Sequence, residues 1–273
     1  MFDQFHSRLT YLGTLTAQTA LRLGAGKSME VTGTDLPVVR DTLGKPYIPG
    51  SSFKGAVRAR MEALVRAVAP AGEDSKHWAC NPVGKKEEWC LASPETTVNE
   101  KTVMLSDEEI ERRTCLVCRV FGSHWIAAKV SFRDLLVDES LWFGQFEVRN
   151  GVAIDRDTET ASDGKLYDFE VVPVGARFRC RIVLENPFDW QIGLLLASLR
   201  PFEEGDAALG GARSRGLGLV KLQRESLRIV EREHLLDYLV AGEKAGQALS
   251  PERETACLSA LKIKLTDREA PDA

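Results

Sequence analysis

Apolar and polar positions alternate along Phe5–Thr19 with the period of two that a half-buried strand requires. The period then changes. Phe53, Val57, Met61, Leu64 and Val68 recur at helical spacing, which predicts an amphipathic helix over about Ser52–Val68 that ends at Pro70-Ala71-Gly72. Ala127–Val137 and Leu141–Val148 read as extended, and Phe178–Glu185 alternates strongly enough for a central strand. Asn186-Pro187 breaks it, and Asp189 is placed to cap a helix carrying Ile192, Leu195, Leu196 and Leu199 before Pro201. Leu217–Val230 supplies the next strand, Glu231–Gly242 and Pro251–Leu261 further helices, and Thr266–Ala273 is expected to fray. Strand, helix, strand, strand, helix, strand is the order of a split βαβ fold of the α+β class.

Two segments carry chemistry. Ile48-Pro49-Gly50-Ser51-Ser52-Phe53-Lys54-Gly55-Ala56-Val57-Arg58 turns from a strand end into a basic helix and reads as a clamp for a nucleic-acid backbone. Pro49-Gly50 stops the extended chain and Ser51 or Ser52 can cap the helix. The open N–H groups of the first turn would then face an anion, with Lys54, Arg58 and Arg66 on the wet side. A plain capped helix with solubilising charges accounts for the same residues. In Leu209–Val220, four glycines permit close backbone approach while Arg213 and Arg215 offer charge-assisted donors to phosphate. This loop precedes its strand, so it is not a dinucleotide fingerprint. Gly24-Ala25-Gly26-Lys27-Ser28 fails as a Walker loop because Leu21 stands where a glycine is required.

In chain order, Gly24–Gly26, Asp35-Leu36-Pro37-Val38-Val39-Arg40-Asp41, the Ile48–Gly55 run and Gly210–Gly218 resemble the RAMP-superfamily backbone subunits of type III CRISPR effector complexes. Asn150-Gly151-Val152-Ala153-Ile154-Asp155-Arg156-Asp157-Thr158, followed by Gly164–Pro173, matches the protruding β-hairpin thumb of that family. The motifs span about Leu23–Val220. The resemblance implies a ferredoxin-like (RRM-like) core whose copies stack head to tail along a guide RNA, each thumb displacing one base pair of the guide–target duplex. It makes Arg40, Ser51, Ser52, Lys54 and Arg58 guide contacts, with Gly210, Gly211, Arg213, Ser214 and Arg215 as loop contacts. Asp35 takes the place of the aspartate that cuts target RNA, with Leu36 where a small residue is expected.

The expected organisation is a RAMP domain over 1–230, with an insertion at about 71–125 and a thumb at about 148–174, followed by a helical extension over 231–273. At 273 residues and 44% hydrophobic the chain can bury a sizeable core. It has neither an apolar run of membrane-spanning length nor a signal-peptide pattern at its start, so cytoplasmic residence is the default. A net charge of −4 argues against a free-standing nucleic-acid binder. Residues 1–70, however, hold nine basic against five acidic groups, whereas 71–114 hold six against ten. Such asymmetry fits a subunit with a basic RNA face and acidic edges, though a solvated surface produces it too.

Six cysteines in an intracellular chain point to metal or free thiols rather than disulfides. Cys80 and Cys90 flank a turn with Pro82 and Gly84, and Cys115-Leu116-Val117-Cys118 is a CxxC. Two such pairs meet the needs of a tetrahedral structural Zn2+ that organises the polar insertion, with His77 as a substitute ligand. Cys180 and Cys257 read as small core residues.

RNA cleavage needs an activated hydroxyl or water and a neutralised phosphorane, which a carboxylate achieves directly or by holding a divalent cation such as Mg2+. Asp35 alone is thin for a metal site. Asp41 and Asp155 are near in sequence, the first equally suited to capping a turn. Three readings follow: a guide-RNA-binding subunit that is a metal-dependent endoribonuclease on target RNA, a non-catalytic scaffold with the same RNA contacts, and a nuclease using His6 or His124.

Overall fold

A computed structural model describes all residues except 1–3, 27–33, 71, 73, 99–100, 153, 158, 161–165, 271 and 273. β1 (Ser7–Ala17) alternates as its sequence dictates, sending Leu9, Tyr11 and Leu15 into the core. A loop leads through β2 (Tyr47–Ile48) into α1 (Gly50–Val68). The 71–125 stretch holds a hairpin, β3 (Glu95–Val98) with β4 (Lys101–Met104), then α2 (Asp107–Arg113) and α3 (Leu116–Phe121). β5 (Val130–Phe132) and β6 (Leu135–Leu136) follow, then a hairpin of β7 (Glu147–Gly151) and β8 (Tyr167–Val171). β9 (Arg177–Glu185), α4 (Asp189–Glu204), β10 (Ala207–Ala208) and β11 (Leu219–Glu231) complete the core. α5 (Leu235–Ala241), β12 (Gln247–Ala248) and α6 (Pro251–Thr266) end the chain's regular structure.

The main sheet is antiparallel in the order β10-β11-β1-β9-β5, with β12 also on β11. α1 and α4 meet through an edge-on contact of Phe53 with Phe202, whose rings are 5.2 Å apart. α6 crosses α4 at Gly193, where a Cβ would come within 2.3 Å of the Cys257 carbonyl oxygen, so only glycine fits. Cys180 and Cys257 are buried as expected. No described helix is long and apolar enough to cross a membrane.

Several expectations need correction. The buried face of α1 runs Phe53, Val57, Met61, Val65, a clean four-residue step, and leaves Leu64 and Val68 half exposed. Its cap is Pro49 rather than Ser51 or Ser52, neither of which makes a capping bond. Asp189 is the first residue inside α4, not its cap, and Pro201 sits within that helix, which runs on to Glu204. The tail is docked. Asp272 accepts from Arg119 at 2.5 Å and from Trp190 Nε1 at 2.7 Å. The insertion shares the main hydrophobic cluster, in which Trp78, Cys80, Cys115 and Val117 are buried, rather than having a core of its own. The middle of the expected thumb and most of the loop before Asp35 lie outside the described residues.

Candidate nucleic-acid interface and metal centre

The end of the sheet where β1 finishes and β11 begins gathers three loops. The first is the 34–40 loop, pinned by two side chains of β8, Glu170 and Asp168. Glu170 accepts from Val38 N–H at 3.1 Å and from Arg40 at 2.5 Å, while its own N–H donates to the Leu36 carbonyl at 3.1 Å. Arg40 also lies over the Phe146 ring at 3.9 Å. Asp35, exposed on this loop, donates its N–H to Asp168 Oδ1 at 2.7 Å and accepts from Asp168 N–H at 3.1 Å.

The second is the glycine-rich loop. Gly210 has φ +81°, and a Cβ there would stand 2.2 Å from the Arg22 carbonyl oxygen, which also accepts from Gly211 N–H at 3.0 Å. Glycine is obligatory at such an approach. Arg213, Ser214 and Arg215 form an exposed 3-10 turn, and Arg215 reaches the Tyr167 hydroxyl at 3.1 Å. The third is the β7–β8 hairpin, registered from Glu147 opposite Val171 to Gly151 opposite Tyr167. Asp168, Glu170 and Tyr167 thus tie the hairpin base to both other loops. Their presence in the Tyr167–Val171 run was visible in sequence, but nothing there announced that they would be partners of Asp35, Arg40 and Arg215.

The α1 terminus differs from expectation. Gly50 N–H donates to Asp134 Oδ1 at 2.7 Å, so a protein carboxylate already engages the first turn. Asp134 carried no sequence signal. Ser51 and Ser52 are exposed beside it, and Lys54, half-buried, reaches the Val130 carbonyl at 3.4 Å. Burial, and then the charge of Arg58, lower the Lys54 pKa from its ordinary value.

Arg58 is not on the wet side. Its guanidinium bonds Glu62 at 2.7 Å, the Gly122 carbonyl at 2.9 Å and Cys118 Sγ at 3.0 Å, and its side chain is 17% exposed. Burial works against its charge, but Cys118 and Glu62 outweigh it and hold the guanidinium protonated. Arg66 likewise turns inward and holds the carbonyls of Ala79 and Cys80, each at 2.7 Å.

Those two arginines frame the cysteines. The sulfurs of Cys80, Cys90, Cys115 and Cys118 all lie within 4.8 Å of one another and are buried. A tetrahedral thiolate site with metal–sulfur bonds of about 2.3 Å sets its sulfurs about 3.8 Å apart, so the donor set fits a metal ion. Hydrogen bonding with Cys115 pulls the Cys80 thiol down towards thiolate and pushes Cys118 up. His77 is not in this group. Around Asp35, no cluster of three metal-capable groups occurs among the described residues. Asp41 caps its own turn through Leu43 and Lys45 N–H, each at 2.9 Å, and Asp155 accepts from Asp157 N–H at 2.9 Å. His124 stacks on Trp89 and donates to the Pro82 carbonyl at 3.0 Å, and His6 is exposed with its backbone on Asn186, so both have structural surroundings.

An antiparallel sheet with helices packed on it, and a glycine-rich loop and hairpin gathered at one end, defines the class of protein. The chain belongs to the RAMP superfamily, whose family model matches residues 14–221. It is similar to the protein named CRISPR system Cms endoribonuclease Csm3 of Methanocaldococcus jannaschii, 25% identical over 237 residues and 81% of each chain. The protein of that name from Methanothermobacter thermautotrophicus is 27% identical over 239 residues, covering 84% of this chain and 88% of the relative. A third, from Mycobacterium tuberculosis, is 47% identical over 55 residues, 19% of this chain.

Proposed function

We propose that this chain is a guide-RNA-binding backbone subunit of a type III CRISPR RNA-targeting complex and cuts the paired target RNA as a metal-dependent endoribonuclease. One observation carries the reading: Asp35, the hairpin base and the glycine-rich loop are bonded into a single edge through Asp168, Glu170 and Arg215–Tyr167. A cutting group, a duplex-splaying hairpin and a backbone cradle need to be held in fixed relation, because catalysis by positioning fails when geometry drifts.

In this reading the core is ferredoxin-like, with the order β11-β1-β9-β5 as its four strands and α1 and α4 as its two helices. The β7–β8 hairpin is the thumb of a domain over 1–230, and 231–273 is an added helical extension. Ser51, Ser52, Lys54, Arg40 and the Gly210, Gly211, Arg213, Ser214 and Arg215 loop meet the guide backbone. Arg58, assigned to the guide by resemblance, serves the cysteine centre instead. Cys80, Cys90, Cys115 and Cys118 hold a structural Zn2+ that joins the insertion to α1. A divalent cation such as Mg2+ would supply charge neutralisation at the scissile phosphate. Asp35 binds or orients there, and RNA oxygens complete a donor set that the described protein groups leave short. Other effector subunits and further copies stacked head to tail are the partners, in the cytoplasm.

The scaffold reading differs in one respect, the absence of a cut. Assembled complex incubated with guide-complementary RNA, with and without chelator, decides between them. Regular metal-dependent cuts are expected, and intact target with bound guide would overturn the endoribonuclease.

A further inference from the structure

The main sheet has a helix-covered face and an open one. Tyr11, Leu15, Phe178, Cys180 and Leu222 point to the covered side, so Thr14, Thr16, Arg177, Arg179, Lys221 and Gln223 point to the other. Half of that open face is shielded by the α5 region. There, Arg8 reaches the Tyr238 hydroxyl at 2.6 Å, Arg181 pairs with Glu243, and Arg228 is held by the Gly246 carbonyl. The other half is bare. Arg177, Thr16 and Lys221 form one row across three strands, and Arg179, Thr14 and Gln223 the next. Same-face neighbours along a strand stand about 6.6 Å apart. Arg133 follows beside Arg181, to whose carbonyl its N–H donates at 3.2 Å.

Arg133, Arg177, Arg179 and Lys221 are exposed, and none has an ion pair among the described residues. Two acids share this ground. Glu225 accepts from Thr14 Oγ1 at 2.6 Å within the second row, and Asp138 accepts from the N–H and hydroxyl of Ser140, bonds that together with the nearby charges of Arg179 and Arg177 hold its carboxyl below the ordinary range. Neither is within ion-pair distance of the four cations among the described residues. In a chain of net charge −4 this concentration stands out.

We infer that this bare half-face is a second phosphate track, binding a stretch of RNA backbone without regard to sequence. It rests on the RNA-binding reading above and extends it to a surface that reading does not use. Two features select RNA over a protein partner. The rows contain no aromatic or large aliphatic side chain, which a protein interface would place at its centre and base stacking would also require. The track is continuous with the glycine-rich loop, since Lys221 follows Gly218 by three residues and Gln18 N–H donates to the Leu219 carbonyl at 2.8 Å.

The test is fluorescence anisotropy of the full chain with a single-stranded, unstructured RNA across a salt series. For Arg177→Gln/Arg179→Gln/Lys221→Gln, affinity should fall at least about tenfold. The salt slope should shrink by about 2, since each lost contact to a single strand contributes roughly 0.7. Arg177→Lys/Arg179→Lys, which keeps the charge, should bind as the parent does and so separates charge from folding. Unchanged affinity and slope in the triple Gln variant would overturn the track, as would loss of self-association with RNA binding intact, which marks a docking site for acidic protein. Lys54→Ala/Arg215→Ala serves as reference. If it loses binding while the triple Gln variant does not, only the track fails. If neither loses binding, the RNA-binding reading fails with it.

Discussion

Asp35 and Asp168 exchange hydrogen bonds, each using its backbone N–H to hold the other's carboxylate, at 2.7 Å and 3.1 Å. Only Oδ2 of Asp35 is used in this pair, and the residue is exposed, so its carboxylate is held in place yet open to a substrate. Asp35→Ala should therefore slow target cleavage at least on the order of a hundredfold, the usual weight of a positioned acid or base, while guide binding persists. Asp168→Ala removes one of two anchors worth about 1 kcal/mol, so about a fivefold loss is expected. Single-turnover cleavage by assembled complex measures both. Equal rates for parent and Asp35→Ala would remove Asp35 from the chemistry.

The cysteine centre should hold one zinc per chain. Because its sulfurs lie inside the main hydrophobic cluster, Cys115→Ser is expected to release the metal and also lower the melting temperature of the whole chain. Elemental analysis of protein purified without chelator, together with a thermal scan, checks this. Absence of zinc in the parent protein would reject the site.

Arg58 binds three acceptors that converge on that centre. Removing it takes a donor from each in a poorly hydrated place and leaves Glu62 with only its bond from Arg66, so Arg58→Ala should cost about 2–3 kcal/mol of stability and speed zinc release to a chromogenic chelator. Arg58→Lys should not restore the parent rate, because an ammonium cannot reproduce the guanidinium fork. If Arg58→Ala instead weakens guide binding as much as Lys54→Ala does, with zinc release unchanged, Arg58 belongs to the RNA face.

The long periodic elements were readable because burial enforces their period. β1 and β9 follow their alternation, β11 falls where the pattern predicts a strand but shifts register opposite Leu12 and Gly13, and α1 and α4 lie within a few residues of their apolar spacing. The four cysteines were readable as well, since two close pairs have few alternative uses. What the sequence hid depends on tertiary neighbours. Arg58 and Arg66 look solvent-facing on a helix taken alone, and only the docked insertion turns them inward. Asp134 at the start of α1, Glu170 under the 34–40 loop and the arginine rows of β9 likewise acquire meaning from strands far away in the chain.

The tail gives a pH-dependent prediction. Burial raises the Asp272 carboxyl, but the hydrogen bond from Lys264 and the charge of Arg119 outweigh it and leave the group below the ordinary carboxylate range. A folded-state value below the unfolded one means that ionised Asp272 stabilises the native chain. That contribution is complete above the unfolded value near 3.9 and is lost as pH falls through the folded one. Asp272→Asn should therefore melt lower than the parent at neutral pH, and the gap should close as the pH is taken below about 4. Thermal scans of both proteins across that range make the comparison. A gap that stays constant with pH would mean that the ionised form of Asp272 adds no stability of its own.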